Sequence, residues 1–157
     1  MADFDSIDAI VSGLCETISG PAGAPRDWNR LRALFLPGAR LVRSVVAANG
    51  QPQAESLTVE EFIQMAEAYF RTEGFYESEI ARRTESFGGI AHVFSTYAAR
   101  LSPDRAPFGR GINSIQLFTD GTRWWVVNML WHDEREGTPI PSRYLPKPRP
   151  HPGKNRL

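Results

Sequence analysis

The strongest constraint on the fold is a series of long strand-type segments in a short chain. After Gly74 the sequence predicts strands over 75–86, 90–101, 111–119 and 123–132, separated by turns that contain glycine or proline. Strands of about ten residues in a chain of 157 residues must twist and curl if the molecule is to stay compact. The sequence therefore predicts one domain built on a strongly curved antiparallel sheet.

Two helices are predicted before this region. Apolar residues recur at three- and four-residue spacing over 7–18, which indicates an amphipathic helix of about four turns. A second, shorter helix is predicted to start near Asp27, to point Leu31 and Phe35 inward, and to end at Pro37. The two helices are expected to form a hairpin.

A predicted β-hairpin and a third helix complete the first half of the chain. Residues 40–48 are rich in β-branched side chains and lead into Asn49-Gly50, which is a strong hairpin signal. Pro52 places the returning strand at a sheet edge. Thr58 and Glu61 then have the spacing of a capping box at the start of a helix.

These elements predict an α+β fold. A cone-shaped, curved antiparallel (mixed) sheet would wrap around three helices from the N-terminal half, and the concave side would enclose a mostly apolar hollow. The domain is expected to span residues 1–145. Residues 146–157 carry alternating prolines and basic side chains without an acid, so we expect an extended, solvated arm, with a tail that binds nucleic acid or a protein partner as the alternative.

Composition limits the partners of the chain. Eighteen basic and eighteen acidic side chains give a formal net charge of zero, so a nucleic-acid partner is not expected. No apolar run approaches the roughly 20 residues needed to cross a bilayer, so no membrane association is expected. Asp3, Asp5 and Asp8 interrupt the start of the sequence, so no secretory signal is visible and we expect a cytoplasmic location.

No metal or cofactor is predicted. Cys15 is the single cysteine, and His92, His132 and His151 are too scattered to give a ligand spacing with it. No glycine-rich loop of the phosphate-binding kind precedes a helix.

The last strand offers two opposite faces. We expect the face with Val126 and Asn128 to point into the hollow, because a buried asparagine needs partners that a ligand cavity would supply. The other face would then form a continuous apolar surface for a second subunit, made of Trp125, Val127, Met129 and Trp131. The predicted ligand-binding residues are Trp28, Phe35, Phe62, Met65, Tyr69, Phe94, Asn113, Ile115, Val126 and Asn128.

His92 is the candidate acid or base, because an imidazole titrates near neutral pH, and Tyr97 or Asn128 would assist it. The alternative is a histidine that is satisfied by hydrogen bonds within the sheet. Alternation puts His92 and Tyr97 in opposite rows of strand 90–101, and the sequence leaves open which row faces inward. The last three strands lack an interior Asp or Glu that could serve as a carboxylate base. Glu77 and Glu79 on the preceding strand remain possible bases, but we expect them to form cross-strand ion pairs with arginines.

Three stretches of sequence carry a family resemblance. They are IAHVFSTY at 90–97, GINSIQLF at 111–118 and DGTRWWVVN at 120–128. Together with the order of elements over about residues 5–145, they resemble the nuclear transport factor 2-like superfamily, particularly its bacterial SnoaL-like members of uncharacterised function. The resemblance implies a cystatin-like α+β barrel and a face-to-face homodimer. It also implies that fold alone does not give the activity, because the superfamily includes ketosteroid isomerase, scytalone dehydratase, polyketide cyclases and members without known catalysis.

The resulting expectation is a homodimeric protein that binds a small apolar or mixed-polarity molecule, with Asn113, Asn128 and His92 as polar anchors. A cofactor-independent isomerase, dehydratase or cyclase is the first alternative. A protein-interaction module that uses the sheet face and the proline-rich arm is the second.

Overall fold

A computed structural model describes residues 2–149 of the chain. The helices are α1 (Ile7–Ile18), α2 (Trp28–Arg32) and α3 (Val59–Phe70). The strands are β1 (Phe35–Val46), β2 (Pro52–Thr58), β3 (Tyr76–Phe87), β4 (Ile90–Arg100), β5 (Gly109–Thr119) and β6 (Trp124–Asp133), and a short 3-10 turn follows at Ser142–Tyr144. The last residues of the predicted arm, 150–157, lie outside the described residues.

Side-chain caps fix the starts of the two long helices. The Ser6 hydroxyl accepts a hydrogen bond from the Ala9 N–H at 3.0 Å at the start of α1. The Thr58 hydroxyl accepts one from the Glu61 N–H at 3.1 Å at the start of α3. Each cap satisfies an amide that has no partner within the first helical turn, so both helices begin where the sequence predicts.

The second helix is shorter than predicted. It ends at Arg32, and Phe35 begins β1 instead of continuing the helix. Phe35 pairs in parallel with Val126 of β6, and the Val126 N–H donates to the Leu34 carbonyl oxygen at 2.9 Å. Strand pairing at this point outweighs the helical spacing of the local sequence, because tertiary context overrides weak propensities.

The strands form one open sheet in the order β2-β1-β6-β5-β4-β3. Neighbouring strands are antiparallel, except that β1 and β6 run parallel. The sheet is therefore mixed, as expected, and the predicted hairpin return lies at its edge as β2. The predicted α+β architecture is confirmed.

The helices cover one face of this sheet, called here the inner face. Helix α1 contacts β3 and β6, and α3 contacts β1 and β2. The core between them is built from fully buried aliphatic side chains, among them Ile10, Leu31, Leu34, Leu41 and Val93. Each such side chain contributes about 1.5–3 kcal/mol on burial, so this layer holds the helices against the sheet.

A register shift in β6 reverses its predicted alternation. Leu117 of β5 pairs with Val126, but the preceding Gln116 pairs with Asn128, so Val127 is an extra residue. Such a bulge places two successive residues on one side and changes the face of everything after it. The prediction that Met129 and Trp131 lie on the outer face is therefore wrong, and Asn128 shares the outer position of Gln116.

The segment after β6 covers part of the opposite, outer face. The Thr96 hydroxyl donates to the Tyr144 carbonyl oxygen at 2.6 Å, and the Phe94 and Tyr144 rings lie 5.0 Å apart. The guanidinium of Arg83 donates to the Arg143 carbonyl oxygen at 3.0 Å. These contacts bury the outer row of β4 near Thr96. Within residues 2–149, no helix combines the length and apolarity required to span a membrane.

Candidate functional site

A cavity of about 530 Å³ lies between the helices and the inner face of the sheet. This inner cavity is walled mainly by apolar side chains: Leu14, Ile18, Leu31, Phe35, Leu41, Phe62, Met65, Ala66, Phe70, Phe75, Met129 and Trp131. Tyr69 and Phe108 also line it and are exposed, so the cavity opens to solvent on their side. Its polar lining comes from the sheet.

The structure distributes the predicted ligand-binding residues over three locations. Those that line the inner cavity are Phe35, Phe62, Met65, Tyr69 and Asn113, together with the candidate catalytic Tyr97. Trp28, Ile115 and Val126 belong to the core instead. Trp28 stacks on Phe70 with ring centroids 6.2 Å apart, so it supports the cavity wall from behind.

The remaining predicted residues, His92, Phe94 and Asn128, lie on the outer face. In β4, Val93 and Tyr97 point inward, so His92 points away from the cavity. Its Nε2 lies 2.9 Å from the Ser114 hydroxyl on β5. The prediction that His92 acts in the cavity is wrong, because the row of Tyr97 is the one that faces inward.

Glu77 is the main polar feature of the inner cavity, although the sequence favoured an ion-pair role for it over that of a base. The Asn113 side-chain amide donates to Glu77 Oε1 at 3.2 Å, and Cys15 Sγ lies 4.0 Å from the same oxygen. Burial raises the pKa of Glu77 to about 7, although the hydrogen bond from Asn113 acts in the opposite direction. The carboxyl group is therefore close to half-ionised at neutral pH.

The two acidic residues predicted to form ion pairs on β3 differ in their partners. Glu79 pairs with Arg82 at 2.8 Å, but the pair lies along β3 and does not cross between strands as predicted. Glu77 has no such arginine among its contacts within the described part of the chain, and it faces the cavity beneath α1. The ion-pair prediction is therefore wrong for Glu77. No local sequence signal separates the two residues, because the difference arises from how α1 packs on β3.

Tyr97 and Asp133 form a second polar pair on the cavity wall. The Tyr97 hydroxyl donates to Asp133 Oδ1 across β5. Burial and this carboxylate raise the pKa of Tyr97 well above its ordinary value, so the phenol stays protonated. Gly111 lies between the two strands, paired with both residues, and a Cβ there would collide with the Tyr97 hydroxyl. The missing side chain at Gly111 is what lets the phenol cross the strand.

Two arginines also line the cavity. Arg110 pairs with Glu134 at 2.8 Å, so its charge is matched. Arg43 of β1 contacts Glu55 through Nη2 at 2.9 Å, while its Nε is shielded from solvent and has no acceptor within residues 2–149. In the same part of the chain, no three His, Cys, Asp or Glu side chains lie close enough together to hold a metal ion.

An open six-stranded mixed sheet with three helices on its inner face and a cavity between them defines an α+β protein of the nuclear transport factor 2-like, cystatin-like fold. The sequence matches no protein-family model and has no significant match to a curated protein. The likeness to solved structures is clear in fold and low in sequence.

Three solved structures illustrate this likeness. A nuclear transport factor 2-like protein of unknown function from Silicibacter pomeroyi is 17% identical, with a TM-score of 0.55 over 82% of this chain and 92% of that chain. A cystatin-like protein of unknown function from Nostoc punctiforme is 13% identical, with a TM-score of 0.63 over 82% and 88%. A candidate ketosteroid isomerase from Parabacteroides distasonis is 10% identical, with a TM-score of 0.54 over 83% and 95%.

Proposed function

We propose that this protein is a cofactor-independent enzyme that moves a proton on a small, mostly apolar carbonyl compound bound in the inner cavity. The observation that carries the proposal is Glu77, a carboxyl group in an apolar cavity with a pKa of about 7. A general base works best when its pKa is near the operating pH, and perturbed groups in clefts are typical of functional sites.

The chemistry follows from the groups around Glu77. Glu77 would take a proton from the carbon next to the substrate carbonyl and return it to another carbon, which shifts a double bond without any net change in atoms or electrons. Asn113 donates one hydrogen bond to Glu77, so its second N–H is available for the oxygen that becomes negative. Tyr97 directs its hydroxyl hydrogen to Asp133 and would stiffen the wall.

The cavity supports a substrate of modest size. Its volume of about 530 Å³ falls in the range of about 300–1,000 Å³ that is usual for small-molecule sites. Phe62 of α3 and Trp131 of β6 make an edge-to-face contact with centroids 6.1 Å apart and form an aromatic corner of the cavity lining. Aromatic walls of this kind favour a flat or ring-shaped apolar body.

Binding without turnover is the second candidate. The observation in its favour is that the Tyr97 hydroxyl already donates to Asp133, so the phenol has no free hydrogen for a substrate oxygen. In that case the cavity would hold a ligand, with Asn113 and Glu77 as its polar contacts.

One experiment separates the two. A β,γ-unsaturated cyclic ketone such as cyclohex-3-enone is incubated with the protein in D2O, and isomerisation and deuterium uptake next to the carbonyl are followed by ultraviolet absorbance and NMR. Glu77→Gln should reduce both rates by roughly 100-fold or more. Glu85→Gln makes the same chemical change on an exposed position of the same strand and should leave the rates unchanged. If the protein binds the ketone but does not accelerate its deuterium exchange, the result would favour binding without turnover.

We further propose a homodimer that forms through the outer face, but with a different set of contacts from the one predicted. Phe87, Ile90, Phe118 and Val127 line a shallow apolar hollow there, and Phe87 and Ile90 are 85% and 61% exposed. Contiguous exposed apolar surface of this kind supports a protein interface. Met129 and Trp131 are withdrawn from it because they line the cavity.

Light scattering after gel filtration tests this interface. The wild type should be a dimer, and Ile90→Asp should give a folded monomer because a charge at the centre of an apolar interface is costly. A monomeric wild type at high protein concentration would refute the dimer and leave the cavity proposal untouched.

A further inference from the structure

Arg43 offers the inner cavity a cation whose hydrogen-bonding capacity is mostly unused. A guanidinium has five N–H donors, and the ion pair with Glu55 places the carboxylate 2.9 Å from Nη2 alone. The Nε of Arg43 is shielded from solvent and finds no acceptor in the described residues. A buried donor without a partner costs roughly 1–3 kcal/mol, so a turn of the side chain that lets both Nε and the Nη groups reach an anion in the cavity would gain affinity.

Apart from Glu77, the other charged groups around the cavity already have partners within the protein. Arg110 pairs with Glu134, and Asp133 accepts the Tyr97 hydroxyl. The Arg43–Glu55 contact is a partly exposed ion pair with one short N···O distance, so it contributes little and can be displaced or shared by an incoming anion. Arg43 is therefore the cavity-lining group best placed to hold a carboxylate.

The strand register sets the distance between Arg43 and the proton-transfer site. Arg43 pairs with Trp131 across β1 and β6, and Trp131 pairs with Asn113 across β6 and β5. Two inter-strand spacings separate the backbones of Arg43 and Asn113 by about 10 Å. Trp131 lies between them, and Asn113 reaches Glu77 on the far side.

We propose that the inner cavity binds an apolar carboxylic acid as its anion, with the carboxylate on Arg43, the apolar body against Trp131 and the opposite end at Asn113 and Glu77. This inference rests on the proposed function only in placing the ligand in the inner cavity, and it extends that function by naming the class of substrate. Arginine suits the role because its planar fork matches a carboxylate. A carboxylate at the Glu77 end would instead meet a partly ionised acid.

Isothermal titration calorimetry with 2-naphthoate and 2-naphthamide tests the inference, because the two probes share a ring system and differ in charge. The wild type should bind the acid at least tenfold more tightly than the amide. Arg43→Met should weaken binding of the acid by roughly tenfold or more and change binding of the amide less than twofold. Arg40→Met is the matched control, since Arg40 lies on the outer side of the same strand.

The variants also separate this proposal from the preceding one. Circular dichroism checks that Arg43→Met is folded, and Arg43→Lys, which keeps the charge, should retain part of the preference for the acid. Glu77→Gln keeps Arg43, so it should lose proton transfer and still prefer the acid. A wild type without that preference, or a folded Arg43→Met that keeps it, would overturn the role of Arg43 whether or not Glu77 transfers protons.

Discussion

Replacing Glu77 with glutamine should stabilise the protein at alkaline pH. The carboxyl group has a pKa of about 7 in the folded state against an ordinary value of 4.5. Between these values the folded state holds a proton that the unfolded state has released, so the free energy of unfolding decreases as the pH rises through this interval. The contribution of this carboxyl group to the free energy of unfolding is fully present below the unfolded-state pKa and is fully lost above the folded-state pKa.

The size of the effect follows from the same two values. At about 1.4 kcal/mol per pH unit, the interval between 4.5 and about 7 corresponds to a loss of about 3 kcal/mol. This is an upper bound, because Glu77 is half-buried and faces a cavity that water can enter. Glutamine resembles the protonated acid and still accepts the hydrogen bond from Asn113, so the variant avoids the loss.

Urea unfolding followed by tryptophan fluorescence measures the difference. Wild type and Glu77→Gln should have similar free energies of unfolding at about pH 4, while the variant should be more stable by up to about 3 kcal/mol at about pH 8. Glu85→Gln, on an exposed position of β3, should show no such divergence. If the difference in the free energy of unfolding between wild type and Glu77→Gln does not change with pH, the argument that burial raises the pKa of Glu77 is refuted.

Two structural substitutions have equally definite outcomes. Gly111→Ala should lower the melting temperature, because its Cβ would lie 2.6 Å from the His132 carbonyl oxygen and collide with Tyr97, whereas Gly109→Ala meets nothing within 4 Å and should be neutral. Equal effects would contradict this account. Arg26→Met should lower the free energy of unfolding by about 2 kcal/mol or more in chemical denaturation. Its guanidinium donates to the carbonyl oxygen of Ile18 at the end of α1 and to three carbonyl oxygens of the loop that follows. If Arg26→Lys kept the wild-type free energy of unfolding, the planar arrangement of the guanidinium donors would be shown to be unimportant.

Features that depend on nearby residues were predictable from the sequence. The cap at Thr58 and the turn at Asn49-Gly50 require only contacts within a few residues, and both occur where expected. The long strands after Gly74 follow from their own composition and turns.

Features that depend on distant pairing were not predictable. The alternation in β6 fails at Val127, because the bulge is set by its register with β5. His92 and Tyr97 lie in rows of similar composition, and the side that faces the cavity is decided by where the helices pack. Glu77 becomes a candidate base only because α1 covers β3. The sequence therefore predicts the fold and its cavity, while the polar residues that line the cavity are determined by how the helices pack on the sheet.

The extra residue in β6 has no partner of its own on β5. Leu117 pairs with Val126 and Gln116 pairs with Asn128, so deleting Val127 would make these two pairs consecutive and restore a regular ladder. Met129 and Trp131 would keep their places in the cavity wall, because their own pairs with Ile115 and Asn113 would be unchanged. This strand should therefore tolerate the loss of one residue at Val127, whose removal would change the local bend of the sheet and leave the lining of the chamber as it is.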